Sequence, residues 1–109
     1  MSKKHLVLIL TEPTDGKEDE FNDYYENLHL REVLDTTNLQ TAQRFKLAAQ
    51  AGEECPLPYL AVYETEADSA QDVIDNLNAT RKGRQQSDSL NRRTGRVWVF
   101  EEIGAKRSK

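Results

Sequence analysis

Four short runs crowded with β-branched, aromatic and leucine residues alternate along the chain with two stretches of helical period. His5–Leu10 (HLVLIL), Leu39–Ala48, Tyr59–Glu64 (YLAVYE) and Arg96–Glu101 (RVWVFE) are predicted strands, bounded by turn residues such as Thr14-Asp15-Gly16 and the loop AAQAGEECPLP. A helix is expected from Lys17 or Glu18 to about His29, with acidic residues in its first turn where the macrodipole favours them. Phe21, Tyr25 and Leu28 share one stripe of it, and Tyr24 and His29 lie on the flanks of that stripe. Arg31–Asp35 either continues this helix or forms a separate piece, and Asp35–Asn38 reads as a turn. A second helix, capped by Asp68 or Ser69, carries Ala70, Val73, Ile74 and Leu77 on one face and stops at Gly83. Gln85–Thr94 is expected to be irregular or to carry a short turn around Ser87-Asp88-Ser89.

The resulting order is β-α-β-β-α-β, an α+β chain of the ferredoxin-like class with a four-stranded antiparallel sheet, filling residues 1–109 as one domain. Right-handed crossovers place both helices on the same face of that sheet. The first and last strands are nevertheless apolar on both faces: Leu6, Leu8 and Leu10 against Val7 and Ile9, then Val97 and Val99 against Trp98 and Phe100. A sheet with one wet face should alternate apolar and polar residues. A second copy of the same sheet is the expected cover, giving a homodimer whose two sheets form a dimeric α+β barrel.

Charge adds an asymmetry. Net charge is -4, yet residues 1–80 hold 6 Lys+Arg against 16 Asp+Glu and residues 81–109 hold 9 against 3. The overall acidity argues against nucleic acid as the main partner, and the basic segment reads as a solvated helix end and tail. The start, MSKKHLVLIL, has too short an apolar run for a secretory signal, and no stretch approaches the roughly 20 apolar residues of a membrane span. A single cysteine, Cys55, forms no intrachain disulfide and lacks a basic neighbour in sequence to activate it. A cytoplasmic protein with no membrane partner is the expectation.

Phe21–Tyr24-Tyr25–His29-Leu30–Val33-Leu34, then Ala42-Gln43-Arg44-Phe45, then Tyr59-Leu60-Ala61-Val62-Tyr63-Glu64 resembles the EthD-like group of the dimeric α+β barrel superfamily, across residues 6–103. The chain departs from the family pattern at Tyr24, where a Trp is frequent, near Arg31 (Pro) and near Asn38 (Gly). KKHLVLIL, with His5, is also similar to the first strand of plant olivetolic-acid-type polyketide cyclases. The resemblance implies a dimeric barrel, a histidine kept at the position of His29, and a range of chemistries: cofactor-free cyclases, dehydratases, isomerases and monooxygenases, with some haem-dependent enzymes.

His29 follows Tyr25 by four residues, so phenol and imidazole are neighbours on a helix surface. Such a pair can move a proton at neutral pH, and a histidine capping a helix end is the ordinary structural explanation. Arg44, on the opposite face of its strand from Phe45, is suited to a substrate oxyanion or to an acid such as Glu64 across the sheet. His5, Tyr24, Tyr59, Tyr63 and Trp98 complete the candidate substrate-binding set, against the alternative of core aromatics with polar tips. Glu26-Asn27-Leu28-His29 fits E-x-x-H only once, too little for a di-iron site, and no zinc spacing is present. The expected function is a cofactor-independent lyase, cyclase or isomerase working by proton transfer on a hydrophobic, carbonyl-bearing, polyketide-like or aromatic metabolite. His29 would be general acid/base, Tyr25 its orienting partner and Arg44 the oxyanion holder. The alternative is a non-catalytic small-molecule-binding or accessory protein of a catabolic or biosynthetic pathway.

Overall fold

In a computed structural model describing all 109 residues, the strands β1 (Lys3–Thr11), β2 (Thr41–Lys46), β3 (Tyr59–Ala67) and β4 (Arg96–Glu101) form one antiparallel sheet in the order β2-β3-β1-β4. Between β1 and β2 the chain makes α1 (Glu18–Tyr24), a π-helical turn (Tyr25–His29) and α2 (Leu30–Thr36) without a break. Between β3 and β4 it makes α3 (Ala70–Thr80), a 3₁₀ turn (Arg81–Gly83) and an irregular strap. Element and strand order are those of a ferredoxin-like α+β fold.

Local chemistry accounts for the boundaries. Gly16, at φ +78°, closes the turn that aims the chain into α1, a conformation costly for a residue with a Cβ. Glu18, Asp19 and Glu20 fill the first turn of α1. Ser69 caps α3, its Oγ accepting the Asp72 N–H at 3.1 Å. β1 and β3 run longer than their apolar runs, to Lys3 and Ala67, because each extends the other's hydrogen-bond ladder. β2 is shorter than expected, since Leu39 is buried ahead of it and the chain leaves the sheet after Lys46.

Alternation and register assign the two faces of the sheet. His5, Val7, Ala61, Tyr63 and Thr65 point toward the helices and are buried, with Phe21, Tyr25, Leu30, Val33, Val73 and Leu77 packed above them. The opposite parity, Leu8 beside Val62 and Trp98, Leu6 beside Phe100, and Phe45 beside Leu60, has no helix over it. Phe45, Trp98 and Phe100 are 47%, 42% and 53% exposed on that open face.

The segment after α3 is not a free basic tail. Pro13 and Leu90 form an antiparallel bridge, the Ser89 carbonyl accepts the Thr14 N–H at 2.7 Å, and the Asn91 N–H donates to the Glu12 carbonyl at 3.1 Å. Arg84 is half-buried and clamps two helix ends: its guanidinium donates to Thr36 Oγ1 (3.1 Å), Thr80 Oγ1 (2.8 Å) and the Leu77 carbonyl (3.1 Å). The strap is thereby fastened across the end of the first helical unit. No helix is long and apolar enough to cross a membrane.

Candidate functional site

The π turn sets the geometry of the site. An α-helix brings residues four apart into line, whereas a π turn closes i→i+5 hydrogen bonds; here the Leu30 N–H donates to the Tyr25 carbonyl. Tyr24 and His29, five apart, therefore meet: Tyr24 Oη lies 3.0 Å from His29 Nδ1, and the two rings stack at 5.1 Å with 26° between planes. Tyr25, the expected hydroxyl partner, instead presents its ring to His29 edge-on at 4.8 Å. The extra residue accommodated in the turn shifted the partnership from Tyr25 to Tyr24. His29 also does not cap a helix end, because the chain continues helically to Thr36.

Proton inventory fixes the imidazole's role. Tyr24 Oη donates its single proton to the Gln85 carbonyl at 2.9 Å, an atom that only accepts. His29 Nδ1 must then be the donor to Tyr24, so the lone pair sits on Nε2, which makes no hydrogen bond within the chain. Burial, and secondarily the Arg84 guanidinium, lower the His29 pKa from 6.5 to about 4, so the ring is neutral at neutral pH. Burial and the nearby Glu32 carboxylate raise the Tyr24 hydroxyl above its ordinary value. Glu32 is held in place by accepting the Gln85 N–H at 3.0 Å.

Tyr25 is buried, and desolvation pushes its hydroxyl up to about 12. Tyr63, buried beneath it, is raised further by desolvation and by Tyr25 itself; its hydroxyl is close to that of Tyr25 yet closes no hydrogen bond. Arg44 lies over the other face of this aromatic group, its guanidinium carbon 5.0 Å from the Tyr25 centroid, 5.5 Å from Phe21 and 5.6 Å from Tyr59. Its acid partner is Glu26 on the π turn at 3.7 Å, not Glu64, because Arg44 points to the helix face and Glu64 to the open face. Asn22 fixes the guanidinium through its side-chain oxygen at 2.7 Å. Arg44, Asn22, Glu26, Lys46 and Tyr59 line a cleft of about 330 Å³ between α1 and β2.

Six of the candidate residues thus come together around Tyr25: Tyr24, Tyr25, His29, Arg44, Tyr59 and Tyr63. Two do not. His5 is fully buried at the far end of the sheet, Nδ1 on the Lys3 carbonyl (2.9 Å) and Nε2 4.0 Å from Glu101. Trp98 stands on the open face, across the sheet from the tyrosines. Of the four main clefts, one is lined by Arg44 and Tyr59 and none by His29 or Tyr25, and hydrophobic residues are a minority of those lining each. Asn22, Glu32, Arg84 and Gln85 belong to the site although nothing in their spacing marks them; only the basic character of the strap hinted at Arg84. No group of three or more His, Cys, Asp or Glu side chains is placed to hold a metal ion. No family model, curated protein or solved structure matches the chain.

Proposed function

We propose that this chain is a cofactor-independent enzyme that moves a proton on an enolisable, carbonyl-bearing metabolite of polyketide-like or aromatic type. The observation that carries this reading is the Tyr24–His29 pair: a neutral imidazole with its tautomer set by a hydroxyl and a free Nε2 lone pair. At neutral pH the ring is unprotonated and can accept a proton at Nε2, as a weaker base than a solvated imidazole because its pKa is lowered to about 4. Tyr24 takes the orienting role first expected of Tyr25. Arg44, held by Asn22 and Glu26 over the Tyr25 ring, supplies positive charge for an enolate or carboxylate oxygen. The likeness of Phe21–Tyr24–Tyr25–His29 and Arg44–Phe45 to EthD-like proteins supports the substrate class, and the apolar open face supports a homodimer.

One observation favours a second reading, a small-molecule-binding protein without catalysis: the cleft that holds Arg44 and Tyr59 does not include His29. Deuterium exchange into a panel of enolisable aromatic ketones separates the two. In the catalytic reading exchange runs above the buffer rate and falls roughly 10²–10⁴-fold in His29→Ala, with the fold retained. Exchange that stays at the buffer rate in the wild type and in His29→Ala alike, with ligand affinity lost in Arg44→Gln, moves the assignment to a binding protein.

A further inference from the structure

A second cleft, of about 390 Å³, opens where β1 ends, β3 begins and β4 starts, and it is lined by Glu12, Leu57, Arg93, Thr94, Gly95 and Arg96. Of the chain's six ion pairs none uses Arg93, Arg96 or Glu12, so both arginines line the cleft without a carboxylate partner. Arg93 makes no side-chain hydrogen bond, and Arg96 is folded back on the Thr94 carbonyl through Nη1 at 3.3 Å. The Thr94 hydroxyl is buried and has no partner. A buried hydroxyl without a hydrogen bond is unfavourable and rare in native folds. Unpaired arginines beside an unsatisfied hydroxyl therefore describe half of a hydrogen-bonding site whose other half comes from outside the chain.

We propose that this cleft binds the oxyanion group, phosphate or carboxylate, of a small molecule, in a fork formed by Arg93 and Arg96 with Thr94 Oγ1 as third donor. Planar guanidinium groups match either anion with paired N–H donors. Turning to the anion costs Arg96 only its single long contact with the Thr94 carbonyl. Leu57 supplies an apolar wall for the body of the ligand. Glu12 in the cleft and the surplus of acids in residues 1–80 oppose an extended polyanion, which restricts the ligand to one anionic group.

Amide NMR of the full chain at constant ionic strength, titrated with inorganic phosphate and separately with acetate against chloride, tests the site. Saturable shifts confined to Leu57 and Thr94–Arg96 are expected with at least one of the two anions, and the one that saturates names the group recognised. Arg93→Gln with Arg96→Gln should weaken it about tenfold, the loss of charge-assisted contacts, with spectral dispersion otherwise unchanged. Thr94→Val, which removes only the hydroxyl, should weaken it by a smaller factor and raise the melting temperature of the free protein. Shifts that stay linear for both anions, that match chloride, or that persist at full strength in both variants overturn the proposal. So does tight, salt-dependent binding of a single-stranded oligonucleotide with shifts spread over residues 81–109.

Discussion

At the scale of single residues, the position of His29 couples chemistry to stability. Its folded pKa of about 4 lies below the 6.5 of an unfolded chain, so between those values the unfolded state holds more protons than the native one. Stability then rises with pH across that window and is lost as pH falls from 6.5 toward 4, since protonation favours the unfolded state. Shifts of this size give a loss of roughly 1–2 kcal/mol between pH 7 and pH 5. Urea unfolding at both pH values should show that loss in the wild type and a flatter response in His29→Gln, which cannot titrate. An equally steep acid limb in the variant would place the pH sensitivity elsewhere. Tyr24 and Arg84 matter to the same balance, one by occupying Nδ1 and the other by adding positive charge nearby. That an imidazole would pair with a tyrosine was legible from Tyr24-Tyr25–His29; which tyrosine was not, because it depends on a backbone turn that leaves no mark in side-chain spacing.

At the scale of elements, apolar crowding was a sufficient guide to the sheet. β4 occupies Arg96–Glu101 as the RVWVFE run predicts, and β3 begins at Tyr59 after its prolines. The helical stripe Ala70–Val73–Ile74–Leu77 holds too, with Val73 and Leu77 buried. The π turn was hidden, since a stripe read at 3.6 residues per turn absorbs one extra residue without losing Phe21 and Tyr25 from its buried side. The partner of Arg44 was hidden for a different reason: Glu26 is eighteen residues away and reaches it only through tertiary packing. The cap of α3, left open between Asp68 and Ser69, resolves to Ser69. Ser69→Ala should cost about 1 kcal/mol in urea unfolding, the usual loss for an N-cap hydroxyl. Asp68→Ala should cost far less, because its exposed pairing with the N-terminal ammonium at 3.8 Å is weak. A larger loss for Asp68→Ala than for Ser69→Ala would contradict the capping assignment.

At the scale of the whole molecule, the sheet is lopsided. One face is sealed by helices over Val7, Ala61 and Tyr63; the other leaves Phe45, Trp98 and Phe100 about half exposed in a field of Leu6, Leu8, Leu60 and Val62. A continuous apolar face of this kind is uncommon on a monomer in water. Completing the burial of each half-exposed ring gains roughly 1 kcal/mol, too little for any one of them to hold a partner. A two-fold contact counts each contribution twice, however, and a face that matches itself is what such symmetry requires. Light scattering at micromolar concentration should therefore give about twice the chain mass of 12.5 kDa. Trp98→Asp is the sharper measurement. Trp98 lies across the sheet from Phe21, Tyr25 and Tyr63, so a charge there should leave the helix-side core intact. The expected variant is a folded monomer with wild-type far-ultraviolet circular dichroism and half the scattering mass. If Trp98→Asp instead unfolds the subunit, the tryptophan belongs to the subunit core; if the wild type already scatters as a monomer, the open face has some other cover.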